Sequence, residues 1–96
     1  MLYAVICRDR PGAAAIRAAN RDAHIAFLKE SGGMIRLAGP FLDESGEGMT
    51  GSLLIVEAED IATVRDWAEQ DPYKQAGLFE QVDIRPWKYV LGDGVK

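Results

Sequence analysis

The 96 residues predict a single α+β domain whose elements run β-α-β-β-α-β. Three observations carry that expectation. Short runs rich in β-forming residues occupy positions 2–7, 34–42, 51–58 and 79–90. Two intervening stretches place apolar residues at helical spacing. Polar or glycine-bearing breaks separate the elements.

The first run, residues 2–7, is too short for a helix and reads as strand one. Asp9-Arg10-Pro11-Gly12 is a turn cluster. Residues 13–30 then carry Ile16, Ala19, Ala23, Ala26 and Phe27 at helical spacing, which predicts helix one with those residues facing inward. Ser31-Gly32-Gly33 stops it. Strands two (34–42) and three (51–58) flank Asp43-Glu44-Ser45-Gly46-Glu47-Gly48, a polar hairpin loop. Glu59-Asp60 opens helix two, in which Ile61, Val64, Trp67 and Ala68 recur on one side. Asp71-Pro72 predicts a further helix start, with Asp as N-cap, Pro at the first helical position, and one short turn through Gln75. The last strand, 79–90, leads into a loose tail. A core of about residues 1–90 and a tail at 91–96 are expected.

This order is the ferredoxin-like split-βαβ arrangement, with both helices on one face of a four-stranded antiparallel sheet. The other face is informative. Leu2 to Cys7 are all apolar, as are Leu53, Leu54, Ile55 and Val56, whereas a sheet with one face in water should alternate. A second copy of the chain is expected to cover that face, giving a homodimer through the sheet.

Eleven basic residues against fifteen acidic ones give a formal net charge of -4. That balance argues against nucleic acid or an anionic membrane as partner, since both require clustered Lys and Arg. No stretch approaches the roughly 18 apolar residues of a spanning helix. The first residues lack the basic and long apolar regions of a signal peptide. Cys7 is the only thiol, so no internal disulfide is possible. A cytoplasmic protein is expected.

His24 is the only histidine. On helix one it projects between Phe27 and Leu28, within the inward-leaning sector and so partly buried, with Asn20, Arg17 and Arg21 close by. A lone histidine there is often satisfied by a carbonyl or carboxylate in the core. Asp71 is the partner to test: its N-cap duty explains the Asp-Pro pair, yet an ionised carboxylate beside His24 would also fix the imidazole tautomer and raise its basicity. Ser52 follows Gly51 at the start of strand three, where its hydroxyl can meet a ligand oxygen; no general base adjoins it in sequence. Gly39-Pro40 predicts a bulge in strand two. Tyr73, Trp87 and Tyr89 read as packing residues, and Cys7 as a small buried hydrophobe. One His and one Cys cannot build a structural zinc site. No glycine-rich phosphate loop or calcium loop is present, and no cofactor is expected.

Arg21-Asp22-Ala23-His24 with Phe27-Leu28, Ala38-Gly39-Pro40, Gly51-Ser52, Asp71-Pro72-Tyr73, Ala76-Gly77-Leu78 and Pro86-Trp87-Lys88 resemble, in that order, the YCII or YciI-like family. Asp22 stands where many relatives carry Pro. The resemblance implies a ferredoxin-like fold, a dimeric α+β barrel, and a cleft holding a His–Asp pair at His24 and Asp71. It further implies ligand-binding positions at Ser52 and Arg21, with Pro40 and Tyr73 in the motifs around them. Two functions stand open. One is a cofactor-free enzyme that uses His24 and Asp71 for proton abstraction, elimination or isomerisation of a small molecule, in the manner of a lyase. The other is a non-catalytic ligand-binding or accessory dimeric module.

Overall fold

The structure is a computed structural model that describes residues 1–95. Strand β1 (Leu2–Asp9) leads into helix α1 (Ala14–Glu30) and a 3-10 turn (Gly32–Met34). Strands β2 (Ile35–Leu42) and β3 (Met49–Glu57) follow, then helix α2 (Ile61–Glu69), the short helix α3 (Pro72–Gln75) and strand β4 (Phe79–Trp87). The strands form one antiparallel sheet in the order β2-β3-β1-β4. This is the ferredoxin-like arrangement.

The strands with unbroken apolar runs, β1 and β3, are the central pair, each hydrogen-bonded along both edges. Edge strands tolerate proline because one row of their N–H groups has no partner. Pro40 and Pro86 accordingly fall in β2 and β4.

Alternate residues of the central strands build the core. Tyr3, Val5 and Cys7 of β1 lie opposite Val56, Leu54 and Ser52 of β3, and the apolar members pack against Val64 of α2, Tyr73 of α3 and Leu78. Leu54, Val56, Val64 and Leu78 are at most 1% exposed. Asp60 caps α2, its carboxylate accepting the Thr63 N–H at 2.8 Å. That hydrogen bond, with a second from the Thr63 hydroxyl, holds the Asp60 carboxyl below its usual range. Gly51 belongs to a close approach: a Cβ there would run into the Cys7 carbonyl oxygen across the β1–β3 pairing.

Several expectations are corrected. Ala19, Ala23 and Ala26 of α1 face solvent, serving as surface helix formers. The inward stripe holds Arg17 and His24, both buried, His24 in the sector where the sequence placed it, flanked by half-buried Ile16 and Leu28. No bulge lies at Gly39-Pro40. The pairing from Ala38 to Phe41 is uninterrupted, and its irregularities fall at Ile35/Leu37 and Phe41/Leu42. The 3-10 turn claims Met34, β3 starts earlier at Met49, and β4 ends at Trp87.

The opposite face of the sheet carries Leu2, Ala4 and Ile6 beside Leu53 and Ile55. Leu37, Phe41 and Trp87 are 37%, 39% and 42% exposed. None of these side chains belongs to the apolar core on the helix-covered face.

Cys7 supplies a pH test of the other face. Burial pushes its thiol from an ordinary 9.0 up to about 12; Asp71 and Asp9 add to the shift and Arg17 opposes it. The folded chain therefore holds this proton more tightly than the unfolded chain. The stabilisation is complete below pH 9 and declines as pH rises through 9 toward 12. Denaturant titrations across that window should show falling stability, and Cys7→Ala should flatten the slope. A wild-type slope unchanged by Cys7→Ala would contradict the burial account.

Candidate functional site: a His–Asp contact at a cavity

The site forms where α1 crosses β3 and meets the start of α3. Asp71 precedes Pro72 in extended conformation and caps α3, its Oδ1 accepting the Tyr73 N–H at 2.9 Å. The same Oδ1 lies 2.8 Å from Nδ1 of His24. Asp71 and His24 are 4% and 8% exposed. An oxygen that already accepts a backbone N–H acts as acceptor toward the ring as well, so His24 Nδ1 donates. In the neutral ring Nε2 then carries the lone pair, and it bonds to no protein group among the described residues. The imidazole stacks on the Tyr73 ring, with centroids 4.0 Å apart and planes at 14°.

Arg17 lies about two turns before His24 on the same face of α1. Its Nε and Nη2 donate to the two carboxylate oxygens of Asp9 at 2.7 and 2.9 Å. Nη2 also reaches Ser52 Oγ at 3.1 Å. The guanidinium sits over the Tyr73 ring, 4.7 Å from its centroid. Burial of Arg17 would lower its pKa, but the Asp9 hydrogen bonds and charge more than offset that, and the net shift is upward. Burial raises the Tyr73 phenol, with Arg17 pulling the other way.

These side chains surround a cavity of about 210 Å³. Its polar lining is Arg17, Arg21, His24, Ser52 and Tyr73. The remainder is largely apolar, from Ile25 and Leu28 of α1, Ala38 and Pro40 of β2, Met49 and Leu54 of β3. Of the residues singled out in the sequence, His24, Ser52, Arg21, Pro40 and Tyr73 all line this space, while Asp71 stands behind the imidazole. Pro40 comes to the rim because it pairs with Ser52 across β2 and β3. Arg21 is exposed, and among the described residues its one ion pair is with its neighbour Asp22, at 3.8 Å. Sequence reasoning placed Arg17 near His24 but assigned it no partner, and read Asp9 only as part of a turn. Among the described residues, no three His, Cys, Asp or Glu side chains converge as a metal site would require.

The chain matches the YCII-related domain over residues 1–88. It belongs to the YCII family. Among curated YCII relatives, Protein YciI of Escherichia coli O6:H1 is 35% identical over 98 aligned positions, covering 95% of this chain and all of the relative. An uncharacterised protein of Haemophilus influenzae is 38% identical at the same coverage. A solved structure with the same fold is the 5-chloro-2-hydroxyhydroquinone dehydrochlorinase TftG of Burkholderia phenoliruptrix AC1100, in complex with 2,5-dihydroxybenzoquinone. It is 37% identical to this YCII chain, with a TM-score of 0.86, covering 94% of this chain and 96% of the other.

For the neutral imidazole of His24, the hydrogen-bond pattern predicts the tautomer with the proton on Nδ1. Long-range proton–nitrogen spectra should show Nε2 as the unprotonated nitrogen, and Asp71→Asn should weaken that preference. A dominant Nε2–H form in the unsubstituted protein would contradict it.

Proposed function

We propose that this protein is a cofactor-free enzyme of the lyase type, acting on a small oxygenated organic molecule held in the cavity beside His24. The observation that carries the reading is a buried His24–Asp71 hydrogen bond that leaves Nε2 free at a cavity lined by apolar side chains and two arginines. A base oriented by a carboxylate and open to a ligand on its other nitrogen is the arrangement general base catalysis needs.

In the proposed step, His24 Nε2 takes a proton from an acidic O–H or C–H of the substrate. The electron pair of the broken bond becomes a new π bond, and the leaving group departs with its own pair. Asp71 stabilises the imidazolium, which returns its proton to water. Ser52 and Arg21 hold a substrate oxygen, while Pro40 and Tyr73 shape the walls. Loss of HCl is one such elimination. The likeness to a dehydrochlorinase makes a chlorinated hydroxyhydroquinone the first compound to try.

With 5-chloro-2-hydroxyhydroquinone as substrate and chloride release as readout, His24→Ala and Asp71→Asn should each lower turnover by about 10² to 10⁴-fold. Circular dichroism should stay unchanged. Turnover surviving both substitutions would overturn the mechanism. Saturable binding without turnover across a panel of chlorinated and hydroxylated rings would leave a ligand-binding module instead.

The proposal extends to assembly and place. A second copy covers the apolar sheet face, forming a dimeric α+β barrel; Leu37, Phe41 and Trp87 are the exposed residues this buries. Patches of this kind mark interfaces in folded proteins. We place the dimer in the cytoplasm, where the free thiol of Cys7 stays reduced. Sedimentation should give twice the chain mass, and Leu53→Glu, on the same face, should give a folded monomer. A monomeric unsubstituted protein at tens of micromolar would contradict it.

A further inference from the structure

The cavity floor holds a hydrogen-bond arrangement that the His24–Asp71 pair does not use. Arg17 is 7% exposed and Ser52 4%, and both line the cavity. The guanidinium is a donor only, so in the 3.1 Å contact from Nη2 the Ser52 oxygen accepts. The serine proton is thereby turned away from Arg17, and among the described residues it is donated to no acceptor. Asp9 holds the guanidinium in place through both of its carboxylate oxygens, at 2.7 and 2.9 Å.

We propose that Asp9 and Arg17 are positioning residues that fix Ser52 as a hydrogen-bond donor, so that the cavity selects a ligand with an ionised oxygen, a phenolate or enolate, over the same ligand with that oxygen alkylated. This rests on the reading of the cavity as the small-molecule site, and names the class of molecule it takes.

An unconstrained serine hydroxyl rotates to donate or accept as its neighbour requires. Here one lone pair is engaged by a cation, which polarises the O–H bond and strengthens it as a donor. A ligand that donated to Ser52 would leave a buried serine proton unpaired, and such groups are costly. A ligand bearing an oxyanion pairs that proton in a charge-assisted bond, the stronger kind. The surrounding charge agrees. Arg17 and Arg21 both border the cavity and no Asp or Glu does. Asp9 neutralises Arg17 through a bidentate pair, whereas among the described residues Arg21 pairs with the solvent-exposed Asp22 alone, so the lining is left positive.

The test uses two probes of similar shape: 4-nitrophenolate, in buffer alkaline enough to ionise it fully, and its methyl ether, 4-nitroanisole. Equilibrium dialysis against the full-length protein gives a ratio of affinities. The unsubstituted protein should prefer the phenolate by roughly tenfold or more. Ser52→Ala, which removes one oxygen, should lower the ratio several-fold, leaving the part of the preference that the positive lining supplies. Arg17→Lys keeps a positive charge but loses the planar fork, and should lower the ratio several-fold. The Arg17→Lys/Ser52→Ala double variant should be no lower than Ser52→Ala alone, a coupling that a merely structural role would not produce. Ser52→Ala stands as the test by itself if Arg17→Lys does not fold. Neither probe has a bond to eliminate, so the affinity ratio reads ligand discrimination alone. Loss of turnover in His24→Ala therefore reports on the elimination chemistry, and the affinity ratio reports on this inference. A Ser52→Ala ratio equal to that of the unsubstituted protein, or no phenolate binding by the unsubstituted protein, would overturn the proposal.

Discussion

One oxygen atom organises the site. Oδ1 of Asp71 accepts the Tyr73 N–H and the His24 Nδ1–H together, at 2.9 and 2.8 Å. Helix α3 has four residues and could not persist alone, since the first hydrogen-bonded turn of a helix is unfavourable to form. Its cap, its proline start and the burial of Tyr73 hold it. Through Asp71 that short helix is joined to α1, and Tyr73 is laid flat against the imidazole. A structural duty and a chemical one therefore converge on the same carboxylate.

The second constraint is the polar inward face of α1. A helix of a small α+β domain ordinarily buries an apolar stripe. This one buries Arg17 and His24 instead, each satisfied by a carboxylate from another element, Asp9 at the end of β1 and Asp71 before α3. Buried ion pairs gain little net stability after desolvation, while removing one partner is strongly destabilising. The fold draws its stability elsewhere, from the paired residues of β1 and β3 and their packing against α2 and Leu78. The cavity lies over the β2–β3 side of the sheet, where α1 leaves Ala38, Pro40 and Met49 exposed at its rim.

The fold was legible because it is written in local pattern. Unbroken apolar runs identified the strands, and their presence at Leu2–Cys7 and Leu53–Val56 also signalled a sheet with two greasy faces. Asp71-Pro72 announced its cap from two residues. The site was legible only in part. His24 and Asp71 were singled out from residue type and family resemblance, but no spacing rule could pair them, because their contact depends on how α3 docks beside α1. Arg17 was missed as a partner of Asp9 and Ser52 for the same reason: three elements must fold before the cluster exists. A signal was present nonetheless. Arg17 and His24 share one helical stripe with Ala13 and Leu28, while the alanines taken as inward form the opposite surface. The bulge expected at Gly39-Pro40 failed because an edge strand accommodates proline without breaking register.

The central claim is that a ligand oxygen meets Nε2 of His24 while Nδ1 stays on Asp71. A crystal structure of the protein with a hydroquinone bound, whose hydroxyl can donate to Nε2, would test it most directly. The account predicts ligand density in the cavity, with one oxygen at hydrogen-bond distance from His24 Nε2 and Asp71 still bonded to Nδ1. Density confined to another surface, or an imidazole turned away from Asp71 to receive the ligand, would contradict it.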